Sequence, residues 1–288
     1  MEYSIGDVSK ISRVSGKTLH QYHQEGLVLP TRIDKFTSRR YFDEKCFHRI
    51  EIIHRFHRLG IPLEIIKDVL TKHRDTRNLI KHWQTRIAEE GKIGENAGLT
   101  LDQLQSMLEE TVDNETFVGE LKQKTLPMIP IASISFHGKQ EEIHPNLQKL
   151  MLACGGISAG EPFVLFHDDH QYDEEMDIDC CLPVREKKDI PGIVFRDLPG
   201  AKAVTVTYQG PTDRKWMGYK RIIDYLNKHK LAIQSPSREV YLHHLANPGE
   251  PIKLVHIEIQ FLTGDPNDPE FKRDIARPGY GIDAAFDL

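Results

Sequence analysis

The feature that most constrains this chain is an internal repeat. Residues 131–138 read as a strand ending Phe136-His137-Gly138, followed by a helical pattern carrying Leu147, Leu150 and Met151. Residues 204–210 read as a strand ending Tyr208-Gln209-Gly210, followed by a helical pattern with Met217, Ile222, Ile223 and Leu226. Each half then offers two more strands, 162–167 and 176–183 in the first and 238–243 and 254–262 in the second. Two successive β-α-β-β units predict a duplicated α+β domain over residues 126–265.

The last strand of each half fixes its two faces by alternation. Met176, Ile178, Cys180 and Leu182 share one face, as do Val255, Ile257, Ile259 and Phe261. The opposite faces carry Asp177, Asp179 and Cys181 in one half and His256, Glu258 and Gln260 in the other. The apolar faces are expected to pack on helices. Asp179 and Glu258 then occupy matching places, and a pseudo-twofold arrangement brings them toward one central groove.

Residues 1–75 differ in charge from the rest. The whole chain of 288 residues has a formal net charge of -5, yet this stretch holds 14 Lys and Arg against 10 Asp and Glu, or +4, leaving -9 for the remainder. A basic head on an acidic body suggests two tasks. In the head, Ile5, Val8, Ile11 and Val14 line one helical face. Ser15 can cap a second helix with Leu19 and Tyr22 that Gly26 stops. Residues 27–41, rich in β formers and basic groups, read as a wing. Asp43 caps a third helix through Phe47, Ile50, Ile53 and Phe56, Gly60 ends it, and Pro62 opens a fourth through Leu63, Ile66 and Leu70. A winged helix-turn-helix follows. Its second helix would present Lys17, Thr18, His20 and Gln21 to base edges, while Arg32, Lys35, Arg39 and Arg40 meet phosphates; Ser15, Tyr22 and Tyr41 complete the DNA-binding set.

The order of parts is more specific than the motif. Ile5-Gly6-Asp7-Val8, Thr18-Leu19-x-x-Tyr22, Glu25-Gly26-Leu27-Val28, Pro30, Arg39-Arg40-Tyr41-Phe42 and Leu59-Gly60-Ile61-Pro62-Leu63-Glu64-x-Ile66 resemble the winged-helix head of the MerR family of transcription regulators. The resemblance implies a homodimer on a pseudo-palindromic promoter, with recognition helices in successive major grooves and wings on flanking phosphates. It also implies activation through DNA distortion that lets RNA polymerase engage both promoter elements. The chain departs from the family pattern at His20-Gln21 and at Thr37-Ser38, which puts the operator sequence, not DNA binding, in question.

The body shows a looser resemblance. Asp177-Ile178-Asp179-Cys180-Cys181-Leu182-Pro183-Val184, Arg238-Glu239-Val240-Tyr241-Leu242 and Ile257-Glu258-Ile259-Gln260 look like the GyrI-like effector domain. In multidrug-sensing MerR regulators, that resemblance implies, lipophilic cations bind between aromatic rings against a buried carboxylate. Glu258 matches the glutamate by position, with Asp179 beside it and Phe163, Tyr172, Tyr208, Trp216, Tyr219 and Tyr241 as candidate walls.

The stretch between the two, residues 76–125, is expected to be a helical connector and dimerisation region. Leu79, Trp83 and Ile87 begin an apolar seam that Gly91, Gly94 and Gly98 interrupt, before Thr100 caps a segment with Leu101, Leu104, Leu108 and Val112. Residues 266–288 read as an irregular tail. Cys46, Cys154, Cys180 and Cys181 lack metal-ligand spacing and read as reduced structural thiols. No stretch has the apolar length of a membrane span, so a cytoplasmic protein without cofactor or metal is expected. His167-Asp168-Asp169-His170 is better explained as a polar loop than as a metal site. Two rival readings remain: a small-molecule hydrolase built on Glu258 and Asp179, which lacks any Ser-His-Asp order, and a metal or redox sensor.

Overall fold

The computed structural model describes residues 1–58, 61–71, 116–167, 175–242 and 254–264. It divides into two units, 1–116 and 117–288. The expected connector helices, the turn at Gly60, Tyr172, most of the acidic loop and the tail lie outside the described residues.

In the first unit, β1 (Tyr3–Ser4) leads into α1 (Ile5–Ser12). Ser4 and Asp7 form a reciprocal capping box, each side chain bonding the other's backbone N–H. Helix α2 (Gly16–Gln24) is capped by Ser15, whose Oγ accepts from Thr18 N at 2.9 Å. Gly26 leaves the helix with φ of 71°, a conformation that favours glycine. Strands β2 (Arg32–Ile33) and β3 (Arg40–Phe42) form the wing and, with β1, a three-stranded sheet in the order β1-β3-β2. Helices α3 (Lys45–Arg58) and α4 (Leu63–Thr71) follow. Val8, Ile11, Leu19, Tyr22, Phe47, Ile50, Ile53 and Ile66 fill the core.

The second unit is an antiparallel sheet with helices on one face. Its strands are β4 (Phe117–Val118), β5 (Lys122–Leu126), β6 (Ile129–Gly138), β7 (Phe163–Phe166), β8 (Met176–Pro183), β9 (Val194–Leu198), β10 (Ala201–Pro211), β11 (Ala232–Tyr241) and β12 (Leu254–Gly264). Their order is β4-β10-β12-β11-β7-β8-β6-β9, with β5 also on β10. Helix α5 (Ile143–Cys154) links β6 to β7, and α6 (Trp216–His229) links β10 to β11.

The expected duplication is present. Gly138 pairs with Met176 and Ser135 with Asp179 in the first half; Gly210 pairs with Val255 and Thr207 with Glu258 in the second. The halves meet where β7 pairs with β11, and there Val164 stands opposite Glu239. By the same registers these two residues are also each other's mates across the duplication.

Two differences from the sequence reading concern the edges. Strands β4 and β5 lie within residues 117–126, so the sheet begins before 126 rather than after a helical connector ending at 125. Strand β9 was not anticipated; it pairs with β6 and closes the other edge.

Candidate functional site

The head presents a polar surface built on fixed turns. Lys17 and Gln21 are exposed on α2, with Thr18 and His20 partly exposed beside them. Ser15 and Tyr22 point inward instead, at 2% and 0% exposure, so they hold the helix rather than offer groups to a ligand. Burial, with the nearby charges of Arg40 and His23, pushes the His20 imidazole below its usual value, which keeps it neutral at pH 7. The wing tip is organised by Asp34, whose Oδ1 accepts from Phe36 N at 3.0 Å, Thr37 N at 2.8 Å and Thr37 Oγ1 at 2.9 Å. The bonds from Thr37, backbone then hydroxyl, with that from Phe36, hold this carboxyl below the usual carboxylate range. Lys35 and Arg39 are exposed on the wing. Arg32 already has local company: it bonds Glu2 through Nη2 at 2.7 Å and lies over the Tyr41 ring at 4.1 Å.

In the sheet unit one carboxylate stands apart. Glu239, at the centre of the sheet, is 1% exposed on the face that packs against α6. Lys215, the residue before α6, places Nζ 2.8 Å from Oε1 and 2.9 Å from Oε2. Tyr219 donates its hydroxyl to Oε1, and Tyr241 donates to Oε2 at 3.4 Å. Burial and the charge of Glu239 push the Tyr241 phenol well above its ordinary value, so it keeps the proton it donates. Tyr219 also meets Phe261 edge to face at 5.8 Å. Gly218 makes this closeness possible, since a Cβ there would lie 2.7 Å from Ile259 Cδ1.

The opposite face of the sheet holds the pair expected at a groove. Asp179 accepts from Arg196 at 2.7 Å and from His167 at 3.0 Å. Burial raises its carboxyl, but the bonds from His167 and Ser135 and the charges of His167 and Arg196 win, and the net direction is down. Glu258 accepts from Lys124 at 2.5 Å and from Gln260 at 2.7 Å. Both carboxylates are thus paired, on β8 and β12, with the two central strands between them.

These surfaces correspond to known families. Residues 3–73 match the MerR HTH family regulatory proteins, and residues 119–261 match the GyrI-like small molecule binding domain. The chain thus joins a MerR HTH domain to a GyrI-like domain. It is a MerR-type, ligand-responsive transcription regulator with a GyrI-like effector domain. Among its relatives, the multidrug-efflux transporter 1 regulator of Bacillus subtilis (strain 168) is 22% identical over 83% of this chain and 90% of the relative. The multidrug-efflux transporter 2 regulator of the same organism is 25% identical over 83% of this chain and 89% of the relative. The EcmrR–DNA complex, solved by cryo-electron microscopy, is 23% identical with a TM-score of 0.43, covering 91% of this chain and 99% of that one.

Within the GyrI-like unit the structure gathers only some of the anticipated effector residues. Tyr208, Trp216, Tyr219 and Tyr241 lie on the helix side of the sheet, Tyr208 with its hydroxyl bonded to Pro211 O at 2.7 Å. Phe163 lies on the other face, in a cluster with Ile131, Leu165 and Cys181. Glu258 shares that face, because adjacent strand residues point oppositely and Ile259 faces α6. Glu239 and Lys215 were not anticipated. The available signal was Tyr241, two residues after Glu239 and therefore on its face.

Proposed function

We propose that this regulator acts as a homodimer on a pseudo-palindromic promoter and that its sheet unit binds a lipophilic cation against Glu239. Binding then biases a distorted promoter conformation that RNA polymerase can use. The supporting observation is the buried carboxylate ringed by Tyr219 and Tyr241, with Trp216 partly exposed at the start of α6. A desolvated carboxylate beside aromatic rings attracts a soft cation more strongly than either element alone. Both Bacillus relatives are regulators of multidrug-efflux transporters, which agrees with a broad set of hydrophobic ligands.

The ligand is bound rather than turned over, with the raised thiols in line with this. Burial raises Cys46 and Cys180 to about 12 and Cys181 well above its ordinary value, which leaves them poor nucleophiles. Action in the cytoplasm follows from the DNA target; among the described residues no helix is long and apolar enough to cross a membrane.

Titration with tetraphenylphosphonium tests the site. Glu239→Gln should weaken this cation by about tenfold or more, and Glu258→Gln should leave it nearly unchanged. The reverse order would place the counter-charge on Glu258. For the head, Gln21→Ala should alter base preference in a selection experiment while general affinity and its salt slope stay close to wild type. A uniform loss across all sequences would make Gln21 a positioning residue only.

A further inference from the structure

The carboxylate that a cationic effector needs is already occupied by the protein's own cation. We infer that Lys215 is a tethered competitor, and that an effector enters by exchanging with its ammonium rather than by adding beside it. This inference rests on the reading of Glu239 as the effector's counter-charge.

The geometry carries it. Lys215 Nζ straddles the carboxylate, at 2.8 and 2.9 Å from its two oxygens, while Tyr219 and Tyr241 donate from the sides. The lysine and glutamate side chains are 9% and 1% exposed. A second positive charge placed against this neutral pair would be repelled by the ammonium about as strongly as it is drawn by the carboxylate. Entry without exchange therefore gains little from charge. If the ammonium leaves, the incoming cation meets a carboxylate no longer neutralised by Lys215, still held by Tyr219 and Tyr241, in a dry site, and the lysine recovers its hydration.

Lys215 is placed to make that exchange. It sits between the 3-10 turn Thr212–Arg214 and the first residue of α6, so its four-carbon stem is rooted at an element end. Next to it Trp216 is partly exposed and Asp213 is exposed, which puts solvent one side chain away. The device selects by charge. A neutral hydrophobic molecule cannot satisfy Glu239 once the lysine is withdrawn, whereas a lipophilic cation can. It also sets a threshold, since each ligand must outcompete a partner held at high effective concentration.

The test uses the full chain and two probes, tetraphenylphosphonium and uncharged triphenylphosphine oxide, measured by calorimetry. Lys215→Met should tighten the cation by about tenfold or more and shift the neutral probe less than about twofold. The double variant Lys215→Met, Glu239→Gln should lose that gain. Because Lys215→Met strands a buried carboxylate and can compromise folding, wild-type protein supplies an independent readout. Lys215 should resist acetylation by an N-hydroxysuccinimide ester when free and become labelled when saturated with the cation, as peptide mass mapping reports. Cation binding with Lys215 still protected, or no tightening in a folded Lys215→Met, overturns the exchange and leaves the cationic effector standing. Absence of cation binding to both wild type and Lys215→Met overturns both.

Discussion

In the first half of the sheet, Val164, Cys180 and Ile134 form a row facing the helix layer; in the second, Glu239, Ile259 and Val206 occupy the matching places. Two of the three positions stay apolar in both halves. At the third, where the halves adjoin, valine is replaced by a carboxylate, and α6 supplies Lys215 and Tyr219 to hold it. One half is therefore ordinary core and the other is core with a site cut into it. The duplication supplies the frame, and the departure from symmetry supplies the chemistry.

Symmetrising the centre should break this contrast most severely. Glu239→Val leaves the Lys215 ammonium buried without its partner and should cost about 3–5 kcal/mol in denaturant unfolding. Adding Lys215→Met should return most of that stability while leaving cation binding absent. Next comes the packing of α6. Gly218→Ala would drive a methyl into Ile259 and Tyr208 and should destabilise by about 1–3 kcal/mol.

The matched carboxylates sharpen the comparison at lower cost. Asp179→Asn should lose about 1–2 kcal/mol at neutral pH, because Arg196 and His167 lose an ionised acceptor. Since the folded Asp179 carboxyl lies below its unfolded value, its contribution is present above the unfolded value and is lost as pH falls through the folded one. Acid unfolding of Asp179→Asn should accordingly show a shallower decline below about pH 4 than wild type. The smallest effect is expected at Gly155, beyond the end of α5, where a Cβ meets nothing within 4 Å. Gly155→Ala should stay within about 0.5 kcal/mol.

The head was largely legible because its signals are local. Ser15 before α2, Gly26 after it and the apolar spacing of Val8 and Ile11 each decide their own turn of chain. Ser15 and Tyr22 were grouped with the DNA-facing residues, yet with Leu19 they fall at i, i+4 and i+7, the spacing of one buried face. In the body, alternation revealed the longer strands but not β4, only two residues long, nor β5 and β9, whose KQKTL and VFRDL segments do not alternate apolar with polar residues. Glu239 was hidden for a related reason. A carboxylate in a strand reads as solvent-facing unless the lysine that offsets it is known, and that lysine lies 24 residues earlier.

Strand β10, eleven residues with a Val-Thr-Val-Thr-Tyr run at its centre, would be a long adhesive margin if it ended the sheet. Its outer hydrogen-bonding side is instead taken by β4 and β5, the latter bearing Lys122 and Lys124. Those ten residues act as a seam guard. A fragment begun after Leu126 would keep both halves of the repeat yet expose a template for uncontrolled strand addition, so soluble preparations of the effector unit should begin at or before Phe117.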